Sequence, residues 1–204
     1  MATYRIAVLG AGNIGGTLGR KWIAAGHQVA FGVNNTSGEH AQQLRTDVRN
    51  DVTIGTIASA IPDADVVLFA IPGNSMEEAI SANATALDGK LIIDAANRRG
   101  NTTANSLAFF QQYTPNARVF RAFNSLAWEV FANPDFNGLQ ADLFFAGDPA
   151  DRSTVEQLIG DIGLRPIFLG GADQIPTVDS VLGLFFALVA GQKRGRHLAF
   201  KVLE

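Results

Sequence analysis

The 204-residue sequence contains no cysteine, and this absence removes several kinds of chemistry. Disulfide bonds, thiolate nucleophiles and cysteine-bound zinc or iron–sulfur centres are all excluded, so redox chemistry would require a bound cofactor. Charged residues make up only 17% of the chain, and the formal net charge is −3. A nucleic-acid-binding surface needs a basic stripe, which this sequence lacks. We therefore expect a small-molecule partner and no nucleic acid.

Long apolar runs and metal-binding patterns are also scarce. The longest apolar run, residues 181–190, is far shorter than the roughly 20 residues that cross a bilayer, and we interpret it as a buried helix. The N-terminus lacks the charged and apolar regions of a signal peptide. The histidines at positions 27, 40 and 197 have no metal-ligand spacing. We expect no membrane association, no metal site and a cytoplasmic location.

The fold class follows from the pattern of the elements that are present. Short β-branched runs alternate with helix-period segments from the first residues onward, which is typical of βαβ units and a parallel sheet. The pattern predicts an α/β protein: a Rossmann-type, doubly wound, mostly parallel sheet with a small C-terminal extension. We expect one domain over residues 1–204. Residues 1–125 would form the dinucleotide-binding core, and residues 126–204 would complete the sheet and the cleft.

A glycine-rich turn, GAGNIG, follows the first predicted strand and begins the first predicted helix. Gly10 allows the tight turn, Gly12 lets the backbone approach a pyrophosphate, and Gly15 allows the helix to pack closely on the strand. The helix N-terminus then offers free amides and a positive dipole to the phosphates. A merely structural turn would explain one glycine but not three, so the motif indicates dinucleotide binding.

The end of the second predicted strand favours NADP over NAD. An acidic residue at this place would hold the ribose 2′-hydroxyl of NAD and repel a 2′-phosphate. The chain instead has the uncharged donors Asn34, Asn35 and Ser37, and Glu39 comes several residues later. Arg45, on the following predicted helix, is placed to reach back toward this loop. NAD is the alternative cofactor.

Asparagines follow three later strands. Asn74, Asn97 and Asn124 each stand just beyond a predicted strand, where ligands of doubly wound sheets bind. An amide there can pair with the nicotinamide carboxamide or ribose, although asparagine is also common in turns. We favour a site role for Asn124 and leave both roles open for the other two. The residues predicted to bind the dinucleotide are Gly10, Gly12, Asn13, Ile14, Gly15, Asn34, Asn35, Ser37, Ala70, Ile71, Pro72, Asn97 and Asn124.

These motifs together resemble a known family. The run IAVLGAGNIGGTLGR from Ile6 to Arg20 is similar to the NADP oxidoreductases that depend on coenzyme F420, a deazaflavin. Further similar segments are DVVLFAIP at 65–72, GKLIID at 89–94, AFNS at 122–125, FAGD at 145–148 and GRHLAFK at 195–201. The resemblance therefore extends over nearly the whole chain. Many relatives carry a basic residue where this chain has Asn34.

The resemblance implies hydride transfer between NADP(H) and a deazaflavin or flavin, in a homodimer whose C-terminal part helps to close the cleft. Such a reaction depends on positioning more than on acid–base groups, because the two ring systems carry the reactive atoms. By this resemblance, Pro72 and Asn97 would lie beside the dinucleotide, and Asn124 and Ser125 near the nicotinamide. No catalytic residue beyond these positioning groups is predicted.

Two other functions fit parts of the sequence. A β-hydroxyacid dehydrogenase shares the first half of the fold, but it would require a catalytic lysine and a large helical domain, for which this chain has no convincing residue and too little length. The second is a non-catalytic module that binds NAD(P) as a redox sensor or scaffold. It is motivated by the lack of a nameable catalytic residue, and enzymatic turnover would exclude it.

Overall fold

The computed structural model describes residues 2–48 and 52–203, and its elements alternate between strands and helices from the start. The first βαβ unit contains β1 (Arg5–Leu9), α1 (Asn13–Ala24) and β2 (Gln28–Gly32). The elements that complete the N-terminal half are α2 (Glu39–Val48), β3 (Thr53–Gly55), α3 (Ile57–Ala60), β4 (Val66–Phe69), α4 (Met76–Ala82), α5 (Ala84–Leu87) and β5 (Leu91–Asp94). Those that follow are α6 (Leu107–Tyr113), β6 (Arg118–Arg121), α7 (Trp128–Ala132), β7 (Asp135–Phe136), β8 (Leu139–Gln140), β9 (Asp142–Phe145), α8 (Arg152–Asp161), β10 (Arg165–Phe168) and α9 (Ile175–Phe186).

The central sheet has six parallel strands in the order β3-β2-β1-β4-β5-β6. The strand order reverses direction at β1, so the crevice between the ends of β1 and β4 is the topological switch point at which such sheets bind ligands. The predicted fold class, an α/β Rossmann-type doubly wound sheet, is confirmed.

The core lies on both faces of this sheet because successive side chains of a strand point to opposite sides. Ile6 and Val8 of β1 pack into one buried cluster with Trp22 of α1. Ala7 and Leu9 pack into the other, against α3 and α4. Burial on both faces explains why the strands are continuous apolar runs rather than alternating ones.

The C-terminal part differs from the expectation that it completes the central sheet. β9 and β10 pair with each other in a separate two-stranded parallel sheet. A single antiparallel bridge between Arg121 and Ala146 joins this pair to β6. The apolar character of β9 and β10 predicts strands, but it carries no information about which strands pair.

Two short elements of the C-terminal part were not predicted. One is α7, and the other is the β7–β8 hairpin, whose turn residues Asn137 and Gly138 both have positive φ. Asn-Gly between short strands is a strong hairpin signal, so the sequence did carry the information.

The chain end is fixed by one buried carboxylate. Asp142, which is completely buried at the start of β9, accepts hydrogen bonds from Arg165 Nε at 2.7 Å, Lys201 Nζ at 3.0 Å and the backbone N–H of Val202 at 2.7 Å. These bonds hold the segment that includes the family-like run 195–201 against β9.

The last helix is less buried than expected. Ala172–Gly191 is a continuous helical run of 20 residues with a mean hydropathy of 1.5, long and apolar enough to cross a membrane by those two criteria alone, and only 22% of its most apolar window is buried. Leu182 and Phe185 within residues 181–190 are buried, whereas Leu184 is 51% exposed. The prediction of a buried helix is therefore wrong for the outward face. The inward face packs against β6 and β9, as a helix of a globular protein does.

Candidate functional site

The glycine-rich turn connects β1 to α1 with the geometry that its sequence predicts. Gly10 has a φ of +102°, and a Cβ there would lie 2.5 Å from the carbonyl oxygen of Ala70. A Cβ on Gly12 would meet no protein atom within 4 Å, so the space beside this residue is open to a ligand. The N-cap residue, Gly12, has no side chain to cap α1, and the first turn of this described helix contains no acidic residue. The positive end of the helix is therefore free to bind a phosphate.

Gly15 has a different role, because it packs inward rather than lining the opening. A Cβ on Gly15 would lie 2.1 Å from the carbonyl oxygen of Gly10. We expect Gly15→Ala to lower the free energy of unfolding, measured by chemical denaturation, by about 3 kcal/mol through overpacking. In the matched variant Gly160→Ala the new Cβ meets no atom within 4 Å, and stability should rise by about 0.5–1 kcal/mol. A Gly15→Ala protein as stable as the wild type would contradict this packing role.

A cleft of about 1120 Å³ extends from the glycine-rich turn along the ends of β1, β2 and β4. Its volume is above the usual range of roughly 300–1000 Å³ for small-molecule pockets, as an extended ligand requires. The predicted binding residues that line it are Gly10, Gly12, Asn13, Ile14, Asn34, Asn35, Ala70, Ile71 and Pro72. Thr56, Ile57 and Glu78, which the sequence did not single out, also line it.

Four residues predicted to bind the dinucleotide do not line this cleft: Gly15, Ser37, Asn97 and Asn124. Ser37 instead closes a local turn in which its N–H donates to Asn35 Oδ1 at 3.0 Å. Glu39, the first residue of α2, does line the cleft.

Two arginines lie near the end of β2. Arg45 reaches back as expected, and its Nη1 donates to the carbonyl oxygen of Thr36 at 2.8 Å. Arg20 and His40 line a smaller recess of about 240 Å³ that shares Gly12 and Asn13 with the main cleft. Arg45 therefore contacts the loop at residues 34–37, whereas Arg20 lies in the adjoining recess and is paired there with Asp47, Nη1 to Oδ2 at 3.2 Å.

The opposite end of the site is formed by the loops after β4, β5 and β6. Asn97 Nδ2 donates to the carbonyl oxygen of Asn124 at 3.0 Å, so the structure brings these two residues together. Gly73 directly follows Pro72, which lines the cleft. The backbone of Asn97 packs so closely against Gly73 that a Cβ on Gly73 would collide with the Asn97 carbonyl oxygen. Asn74 stands on the exposed turn beside Gly73. These contacts form a continuous path from the cleft to Asn124.

The backbone and side chains around Asn124 have unusual features. Phe123 has a φ of +60°, which a bulky residue adopts only under strain, and such strain is common at functional sites. Asn124 Oδ1 and Ser125 Oγ are buried and have no hydrogen-bond partner among the described residues. A buried polar atom without a partner costs about 1–3 kcal/mol, so each is a candidate ligand contact.

Sequence reasoning missed a group of buried charged residues beneath these loops. Arg121, at the end of β6, is fully buried, and its Nη1 lies 3.2 Å from Asp94 Oδ1 while its Nε lies 2.8 Å from Asp179 Oδ1. Burial raises the pKa of Asp94, opposed by Arg121 and by the backbone N–H groups of Ser106 and Ala96. Each of these three residues interrupts an apolar run of the sequence. A charged residue in such a run is expected to be buried, and buried charges are nearly always paired, so the sequence did carry a signal for this group.

The titratable side chains that line the main cleft are Glu39, His40 and Glu78. Among residues 2–48 and 52–203, no group of three or more His, Asp or Glu side chains is placed to hold a metal ion. His27 is buried away from the cleft, where its Nε2 lies 2.8 Å from Asp161 Oδ2. The arrangement is suited to binding and orienting a ligand.

Comparison with known proteins agrees with this geometry. Residues 5–98, just under half of the chain, match the model of the family described as NADP oxidoreductase, coenzyme F420-dependent. The resemblance is confirmed. The matched residues run from β1 past Asn97 and therefore include every residue that lines the main cleft. The match agrees with the predicted enzyme class, an NADP-dependent oxidoreductase.

Solved structures share the fold over most of the chain. A candidate F420-dependent NADP-reductase from Arthrobacter sp. FB24 is 23% identical, with a TM-score of 0.83 over 98% of this chain and 100% of that one. A hypothetical protein from Sinorhizobium meliloti is 26% identical, with a TM-score of 0.67 over 84% of this chain and 86% of that one. A reductive aminase from Aspergillus terreus, solved with NADPH, is 18% identical, with a TM-score of 0.70 over 93% and 64% of the two chains.

Proposed function

We propose that this protein transfers a hydride between NADP(H) and a deazaflavin such as coenzyme F420, or a flavin. One observation carries the proposal: the segment that matches the F420-dependent NADP oxidoreductase family is the segment that lines the cleft. In the forward direction, a hydride with its two electrons leaves C4 of the nicotinamide and bonds to the acceptor ring. A proton from solvent completes the reduction, and NADP⁺ is released.

The residues of the chain bind and orient in this proposal. Gly12 and the uncapped N-terminus of α1 hold the pyrophosphate, and Asn34 and Asn35 lie along the adenosine end. Asn97 and Asn124 lie toward the nicotinamide, with Ser125 beside them. A reaction whose ring systems carry the reactive atoms needs no acid–base pair from the protein.

NADP rather than NAD is the proposed cofactor. The loop at residues 34–37 contains no acidic residue. The Arg45 guanidinium is held against this loop by the 2.8 Å hydrogen bond from its Nη1 to the carbonyl oxygen of Thr36. The adjoining recess holds His40 and also Arg20, whose guanidinium is paired with Asp47 and has further N–H donors for a 2′-phosphate. Guanidinium groups are the side chains best suited to binding phosphate.

The proposed assembly is a homodimer in the cytoplasm, in which the outward face of α9 and of the following turn packs against a second copy. Leu184 is 51% exposed on this face, and Phe186, Leu188 and Val189 are only partly covered. Contiguous exposed apolar residues of this kind mark interaction surfaces. Light scattering of the purified protein should give twice the mass of one chain, and a monomer would contradict the proposed assembly.

The assay for the proposed function measures oxidation of NADPH by the purified protein, with a deazaflavin, FMN, FAD and ferric chelates as separate acceptors and with NADH in parallel. We expect turnover with the deazaflavin or a flavin, faster with NADPH than with NADH. Tight NADPH binding without oxidation by any acceptor would contradict the proposal and favour the redox-sensor alternative.

A further inference from the structure

A partly buried carboxylate on the C-terminal helix lies beneath the proposed nicotinamide end. Asp179 projects from α9, and three donors from other segments converge on it: Arg121 Nε at 2.8 Å, Asn105 Nδ2 at 2.8 Å and Asn124 Nδ2 at 3.2 Å. Its side chain is 13% exposed. One carboxylate thus joins α9 to the end of β6 and to the loops that follow β5 and β6.

The Asp179 carboxylate fixes the orientation of the Asn124 amide. An ionised carboxylate only accepts hydrogen bonds, so the amide must turn its Nδ2 donor, and not its Oδ1 acceptor, toward Asp179. Oδ1 then points away from Asp179. It is buried without a partner among the described residues, on a side chain that is only 2% exposed.

Arg121 holds Asp179 in place and connects it to Asn97. The guanidinium donates from Nε to Asp179, from Nη2 to Asn97 Oδ1 at 2.7 Å, and from Nη1 to the carbonyl oxygen of Asp94 at 3.0 Å. Asn97 in turn donates to the carbonyl oxygen of Asn124. Both asparagines are therefore oriented by the same buried ion pair.

We propose that Asp179 is the positioning residue of the nicotinamide end, because it holds the Asn124 amide with Oδ1 free to accept a hydrogen bond from the carboxamide N–H of the nicotinamide. The inference rests on the proposed function, since it takes NADP(H) as the ligand. It adds that a residue of the C-terminal helix, outside the segment matched to the family, controls how the reactive ring is held.

The test compares two ligands on the variant Asp179→Ala, which removes Oδ1, the oxygen to which both Arg121 Nε and Asn124 Nδ2 donate. Dissociation constants are measured by titration calorimetry for NADPH and for adenosine 2′,5′-bisphosphate, which lacks the nicotinamide. We expect NADPH to bind about tenfold more weakly, as for one lost hydrogen bond, with the affinity for the bisphosphate unchanged. Asp173→Ala, at an exposed position just before α9, should alter neither affinity.

A second variant keeps the inference testable if Asp179→Ala does not fold. Asn124→Ala removes the amide but leaves the Arg121–Asp179 pair intact, and it should weaken NADPH binding to the same degree. In the double variant the two losses should not add, because both remove one interaction. Equal losses for the two ligands, or unchanged NADPH affinity in Asn124→Ala, would overturn the inference. A wild-type protein that binds neither ligand would instead refute the proposed function.

Discussion

Replacing Arg121 with methionine should lower the free energy of unfolding by about 3–5 kcal/mol, which is the usual consequence of removing one partner from a buried ion pair. Methionine fills a similar volume but leaves Asp94 and Asp179 without their cation. The carboxylate of Asp94 is almost fully buried and keeps only backbone N–H donors. The measurement is denaturation by guanidinium chloride, followed by circular dichroism.

Arg118, on the same strand, provides the matched control. Its Nη1 lies 2.6 Å from Asp151 Oδ1, but its side chain is 42% exposed. Because water and salt screen exposed pairs, Arg118→Met should cost no more than about 1 kcal/mol. Similar losses in the two variants would show that the Arg121 network contributes no more to stability than a surface ion pair does.

Replacing Asn34 with aspartate should convert the cofactor preference from NADP to NAD. Asn34 is exposed at the end of β2 and lines the cleft, so the new carboxylate would face the 2′-phosphate of NADPH. Two like charges separated by about 4 Å near a protein surface repel by a few kcal/mol. We therefore expect NADPH to bind on the order of 100-fold more weakly, and NADH to bind equally well or better through its ribose 2′-hydroxyl.

The control for this change adds the same charge away from the cleft. Gln111→Glu on the exposed side of α6 should leave both dissociation constants unchanged. If Asn34→Asp also left NADPH binding unchanged, the 2′-phosphate would lie elsewhere, and the recess with Arg20 and His40 would be the place to examine next.

The parts of the fold that were predictable depend on local patterns. Apolar runs identified β1, β2, β4 and β5, because burial on both faces makes each of these runs nearly continuous. The glycine-rich turn predicted its own conformation, since Gly10 and Gly15 each face a backbone oxygen that no Cβ could approach. The strands and the turn are predictable because each depends mainly on residues that are close together in the sequence.

The parts that were missed depend on contacts between distant residues. The pairing of β9 with β10, rather than with the central sheet, is decided by packing that no run of residues encodes. Asp94, Arg121 and Asp179 lie far apart in the sequence, and only the folded chain brings them together. Each of the three is nevertheless a charged residue within an apolar run. Charged residues in such positions predict that they are buried as partners of one another.

Titration of NADPH into the wild-type protein and into Gly12→Val tests directly whether the opening beside Gly12 binds the dinucleotide. The φ of Gly12, −71°, suits any residue, and no protein atom opposes the added side chain, so the variant should fold. We expect the wild type to bind with a dissociation constant on the order of micromolar, and Gly12→Val to lose binding with an unchanged melting temperature. Equal NADPH binding by the two proteins, or none by the wild type, would contradict it.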